Sequence, residues 1–168
     1  ERLTYDEAFL LQLLLLTRRK ELKGLDAVAR PTIDGGLLSE FDKTLPFELT
    51  AGQKSVAAEI ENDLAQPHPM NRLLQGEVGS GKTIVALRAM LTVIDNGGQA
   101  ALLAPTEVLA AQHLRTMQKL LGDLAQGGML GGREIATQVT LITGSQNAAS
   151  RKEALAMAAS GAAGIVIG

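Results

Sequence analysis

From residue 72 onward the chain carries four short apolar runs, Arg72–Gln75, Ala100–Ala104, Val139–Thr143 and Gly164–Ile167, with segments of helical composition between them. Strands that alternate with helices predict right-handed βαβ units and a parallel sheet, so the expected class is α/β. Helices are predicted over 82–96, closed by Gly97 and Gly98, over 107–121 and over 148–159. The Gly-rich stretch "GDLAQGGMLGGRE" reads as a loose connection between the second of these helices and the third strand. Ahead of the first strand, Thr50 and Gln53 have the spacing of a capping box opening a helix over 52–64, and "QPHPMN" follows as a loop.

The N-terminal part follows a different pattern. Thr4 and Glu7 form another possible capping box, and the helix it would open runs to Lys23 and stops at Gly24. Six of the seven residues from Leu10 to Leu16 are leucine, a wider apolar surface than one stripe, so the helix is expected to pack on the following domain or on residues outside this sequence. A partner-binding helix is the alternative. Asp6, Glu7, Arg18, Arg19 and Lys20 flank the run and leave it far short of the ~18 apolar residues a membrane span needs. Residues 29–46 contain Pro31, Gly35, Gly36 and Pro46 without a sustained period and read as an extended arm. The expected organisation is a connector helix and arm over 1–46, then an α/β unit over 47–168.

Composition narrows the chemistry. At 168 residues and 46% hydrophobic content the chain can bury one core. Tyr5, Phe9, Phe41 and Phe47 are the only aromatics, so that core must be aliphatic, and no aromatic platform for stacking bases is visible. A net charge of −2 gives no basic patch, although backbone N–H groups can hold phosphate without one. The absence of Cys excludes disulfides, thiolate metal sites and Cys nucleophiles, and fits a cytoplasmic chain.

Residues 76–83 read G-E-V-G-S-G-K-T, a full match to the phosphate-loop pattern G-x-x-x-x-G-K-[ST], and they lie between a strand candidate and a helix candidate. Gly76, Gly79 and Gly81 let the backbone wrap an anion, with Glu77, Val78 and Ser80 supplying the remaining N–H groups. Lys82 reaches the β and γ phosphates, and the Thr83 hydroxyl is placed to ligate Mg²⁺. The helix opening at Lys82 adds the positive end of its dipole. The bland alternative is a Gly-rich turn whose Lys caps a loop. By itself the loop implies Mg-ATP or Mg-GTP. Hydrolysis also needs an acid at the end of another strand, yet "AALLAP", "VTLITGS" and "GIVIG" all end without one. His68 and His113 have no second ligand at metal spacing and read as surface or packing residues.

Taken together, "GEVGSGKT", "APTEVLAAQH" (104–113), "LITGS" (141–145) and "GAAGIVIG" resemble the superfamily-two DNA translocases, and among them the RecG branch-migration helicases. The resemblance spans the whole chain, as connector helix, arm and first half of a RecA-like motor domain. It implies an ATP-dependent helicase acting on branched double-stranded DNA in repair and recombination, with Lys82 as the catalytic residue of this part. It further implies that Pro105, Thr106 and Glu107, and likewise Thr143, Gly144 and Ser145, approach the DNA backbone. Helix capping by Thr106 and a plain turn at 143–145 are the structural alternatives. Phe47 would pack on adenine and Gln53 would read it, unless the capping box occupies the Gln53 amide; the preference for ATP over GTP rests partly on that role. Glu77 stands where such proteins usually carry Asp. Their D-E-x-H acid motif follows shortly after the strand corresponding to "GIVIG", so the acid is expected beyond Gly168 and these residues alone are expected to hydrolyse ATP negligibly. A transcription-repair coupling factor motor is the nearest competing reading, and a non-helicase nucleotide-binding module the more distant one.

Overall fold

The computed structural model describes residues 2–127 and 135–168. The start of the Gly-rich connection is not loose, since Gly122–Ala125 forms a 3-10 turn that buries Leu124; 128–134 and the side chain of Thr4 in the first capping box lie outside the described residues.

The sheet has three parallel strands, β1 (Ala100–Leu102), β2 (Val139–Leu141) and β3 (Ile165–Ile167), in the order β1-β3-β2. Ile165 pairs with Ala100 on one side and Val139 on the other, and Ile167 with Leu102 and Leu141. As the central strand, β3 is shielded along both edges, and its two isoleucines are fully buried. The helices expected from the sequence form as α4 (Lys82–Asp95), α5 (Glu107–Leu121) and α6 (Ala148–Ser160), with α3 (Ala51–Leu64) ahead of them. Thr50 opens α3 through a complete capping box. The long helix α1 spans Arg2–Lys23, and Gly24 closes it by donating to the carbonyls of Lys20 and Glu21.

Two further expectations are corrected. Residues 37–44 lie within the segment read as an extended arm, yet Leu37–Thr44 forms a helix, α2. Eight residues are too few for a period to stand out. What starts the helix is distant in sequence: the Asp95 carboxylate accepts from the N–H groups of Leu37 (2.6 Å) and Leu38 (3.1 Å). Leu37, Leu38 and Phe41 are then buried against α4, each burial contributing about 1.5–3 kcal/mol. Secondly, Arg72–Gln75 is not a strand. A strand exists through its neighbour, and among the described residues neither sheet edge pairs with this run. Arg72 turns instead to α3, where it meets Glu59 (2.6 Å) and Asp63 (2.5 Å), and Leu74 packs against the core while Leu73 is exposed.

The leucine run of α1 is not in the core. Leu10, Leu11 and Leu13–Leu16 are all at least half exposed. Among the described residues no helix is long and apolar enough to cross a membrane.

Candidate functional site

The turn after Gln75 is built by short-range bonds. The Ser80 N–H donates to the Glu77 carbonyl (3.1 Å), which puts Val78 and Gly79 at the tip, Val78 wholly exposed. Gly81 is the residue before α4 and takes a left-handed conformation, φ +82° and ψ 24°, that an L side chain resists. Its carbonyl accepts from the Ile84 N–H (3.1 Å), so α4 starts tightly, and the N–H groups of Lys82 and Thr83 have no carbonyl one turn back to bond. The Lys82 ammonium spans the loop, donating to the carbonyls of Gly76 (2.7 Å) and Glu77 (2.8 Å).

These residues fit a phosphate chain with its Mg²⁺. A Cβ on Gly76 would lie 2.6 Å from the Ser80 hydroxyl, so a side chain there would have to push that hydroxyl aside. Beside it lies a cavity of about 280 Å³ whose wall includes Gln53, Val56, Leu74, Ser80, Lys82 and Val85. An ammonium at the hollow and free N–H groups at the start of the adjoining helix suit an anion.

Gln53 ties this loop to α3. Its Oε1 accepts from the Thr50 N–H (2.9 Å), its own N–H donates to the Thr50 hydroxyl (3.2 Å), and its Nε2 donates to the Ser80 carbonyl (2.9 Å). The cap and the Ser80 bond together occupy half of the side-chain amide, so one donor and one acceptor position remain. A Cβ on Gly81 would collide with that Nε2. Phe47 is half-exposed and lines a separate hollow of about 450 Å³ with Leu45, Pro46, Leu49 and Lys54.

The second group of residues lies where β1 and β2 end. Pro105 and Thr106 follow β1 and are exposed. Thr106 is extended (φ −144°, ψ 152°), and its hydroxyl accepts from the Leu109 N–H (3.3 Å), which starts α5 at Glu107. After β2, the Thr143 N–H donates to Gln146 Oε1 (3.0 Å), and Gln146 Nε2 returns to the Leu141 carbonyl (2.9 Å), which sets Gly144 and Ser145 outward. The Glu107 carboxylate joins the two loops. It accepts from the Ser145 N–H (3.0 Å). The nearby Ser145 hydroxyl, then that N–H and the Gly144 N–H, favour the charged form and hold its pKa below the ordinary carboxylate value. Among the parallel strands β1, β2 and β3, both loops leave the same edge of the sheet. α4 packs on β1 and reaches it through a short Gly97-Gly98 turn, so its Lys82 end points toward that edge too.

Three supporting residues were not found from the sequence. Gln146 had a local signal, since it lies three positions beyond Thr143, the spacing of a side chain that closes a turn. Asp95 had no partner readable nearby. Arg88 on α4 lies between Asp42 on α2 and Glu61 on α3 (2.9 Å to Glu61). Burial opposes its charge, but the two carboxylates outweigh that and raise its pKa. His68 and His113 are half-buried, and among the described residues no group of His, Cys, Asp and Glu could hold a metal.

The chain is 55% identical over all 168 residues to the "ATP-dependent DNA helicase RecG" of Mycobacterium tuberculosis and 54% identical to that of Mycobacterium leprae, covering 23% of each. It is 45% identical over 167 residues to the RecG of Synechocystis, covering 19% of it. It therefore spans less than a quarter of the length of these relatives. A solved structure described as RecG bound to a three-way DNA junction superposes on the whole chain with a TM-score of 0.83 at 38% identity, 21% of that protein being covered. The fold is thus that of a RecA-like P-loop domain in part, as the phosphate loop and parallel sheet led one to expect. The family model for DEAD/DEAH box helicases matches residues 50–167, from the Thr50 cap to the last residue of β3, and the chain belongs to that family.

Proposed function

We propose that the chain is the ATP-binding part of an ATP-dependent DNA helicase or translocase that acts on branched DNA, such as replication forks and Holliday junctions, in cytoplasmic DNA repair and recombination. One observation carries this reading: the Lys82 cradle and the two loops at 105–107 and 143–145 open at the same edge of one sheet, in a chain 55% identical throughout to a RecG helicase. A phosphate loop alone would suit any nucleotide-binding module; the loops beside it supply a way for nucleic acid to feel the nucleotide.

In this reading the loop N–H groups of residues 76–83, apart from that of Ser80, which closes the turn onto Glu77, hold the β and γ phosphates, with the Lys82 ammonium exchanging its loop carbonyls for phosphate oxygens. Thr83 offers its hydroxyl to Mg²⁺, which when bound would neutralise charge on the phosphates. The free half of the Gln53 amide offers one donor and one acceptor, the pair that an adenine edge requires, and Phe47, which lines its own hollow in this structure, would turn from it to cover the base. The Ser80 carbonyl held by that same amide then links base recognition to the shape of the cradle. On the DNA side, Pro105, Thr106 and Glu107, with Thr143, Gly144 and Ser145, form the surface against the backbone.

The test uses the intact protein and measures ATP hydrolysis with a three-way DNA junction, with linear duplex and without DNA. Hydrolysis stimulated most by the junction and abolished by Lys82→Ala is expected. Turnover indifferent to DNA would favour a plain nucleotide-binding module, and stimulation that depends on a stalled RNA polymerase would favour a coupling-factor motor.

A further inference from the structure

Glu107 has the wrong charge for a surface that meets phosphate. It is exposed at the first position of α5, next to the helix N–H groups that would face the DNA backbone. An unengaged carboxylate there would oppose a phosphate by about 1 kcal/mol at 4 Å in water, and by more near a protein surface. Yet this carboxylate is engaged. The Ser145 N–H, from the β2 loop 38 residues further along the chain, donates to it at 3.0 Å, and the Ser145 hydroxyl and the Gly144 N–H lie close enough to favour its charge. Since β3 lies between β1 and β2, no ladder hydrogen bond connects the two loops, and Glu107 spans the gap. Gly144 also leaves little room for a side chain, because a Cβ there would sit 3.2 Å from Glu107 Oε1.

We propose that Glu107 is a positioning residue for nucleic acid: its carboxylate clamps Gly144 and Ser145, locks the loops after β1 and β2 into one surface, and is itself kept from the phosphates by that work. The inference rests on the reading of the chain as part of a DNA motor, and it reassigns three residues within that reading. Gly144, Ser145 and the Glu107 side chain hold the surface together. The groups left to meet phosphate are the Thr143 hydroxyl and the N–H groups of Glu107 and Val108, which have no carbonyl one turn back. Gln146 braces the same loop from the inside through Thr143 and Leu141.

The experiment compares wild type, Glu107→Ala and Glu107→Gln in the intact protein, with a three-way DNA junction as probe. Loss of a charge-assisted clamp predicts a half-saturating DNA concentration for ATP hydrolysis raised ~10-fold in Glu107→Ala. Glu107→Gln keeps an acceptor for the Ser145 N–H and is expected to restore it to within ~3-fold. Amide hydrogen exchange at Gly144 and Ser145 should accelerate in the alanine variant and stay near wild type in the glutamine variant. If the carboxylate only repelled DNA, both variants would bind more tightly, and the inference would fall. If it only favoured the α5 dipole, both variants would shift Tm alike with half-saturation unchanged, which overturns it equally. Wild-type hydrolysis without any DNA stimulation would instead overturn the motor reading and the inference with it.

Discussion

The Gln53 side chain donates to the Ser80 carbonyl at 2.9 Å while its oxygen caps α3 at Thr50, so one amide sets both the start of a helix and the shape of the phosphate loop. The two variants that follow separate these roles. Gln53→Glu keeps the acceptor for Thr50 but places a carboxylate against the Ser80 carbonyl; its nucleotide affinity is expected to fall ~10-fold, a loss of about 1.4 kcal/mol. Gln53→Ala also removes the side-chain half of the capping box, leaving the bond from its own N–H to the Thr50 hydroxyl, and is expected to lower stability by about 0.5–1.5 kcal/mol besides. Nucleotide titration and urea unfolding of both variants check this; equal stability in the two would mean that the capping bond contributes nothing.

The contacts of α4 with α2 are the second target. Asp95→Ala leaves two partly buried N–H groups at the start of α2 without an acceptor, and a loss of about 1–3 kcal/mol is expected. Arg88 is largely buried, and Arg88→Ala strands Glu61 and Asp42, so about 2–3 kcal/mol is expected after allowing for the solvent that reaches Asp42. Urea denaturation would show both as lower midpoints at unchanged slope. A midpoint within experimental error of wild type for Arg88→Ala would show that the ion pairs are idle.

A pH effect follows from the clamp on Glu107. Its folded pKa is depressed by Ser145 and Gly144, so its contribution is present above the unfolded pKa and is lost as pH falls through the lower folded value. The Glu107 carboxyl carbon, followed by NMR, should titrate below the ordinary glutamate range near ~4.3, with the Ser145 amide shifting in step. Titration at the ordinary value, or an indifferent Ser145 amide, would mean that the clamp is open in solution.

The polypeptide of 168 residues on its own should hydrolyse ATP negligibly, because none of β1, β2 and β3 runs into an Asp or Glu that could hold the metal and orient water. Steady turnover from a pure preparation, stimulated by DNA and abolished by Lys82→Ala, would contradict this.

What was legible in the sequence was local. The phosphate loop, the Thr50 and Thr106 caps and the α4, α5 and α6 helices each depend on residues within a few positions of one another, and each formed where its own signals placed it. Two features misled for opposite reasons. "LLQ" at 73–75 has the residues of a strand but no neighbour to pair with among the described residues, and α2 has a neighbour but too few residues to announce a period.

Sequence by itself therefore determined the anion cradle, because the left-handed turn at Gly81, the lysine after it and the helix that follows are set within one short stretch. Only the tertiary structure decided what that cradle is joined to. Asp95 reaching α2, Arg88 between two helices, Gln53 holding Ser80 and Glu107 holding the β2 loop all connect residues 27 to 58 positions apart. Such bonds form because packing brings the partners together after each element has satisfied its own backbone, and a linear pattern carries no record of that approach.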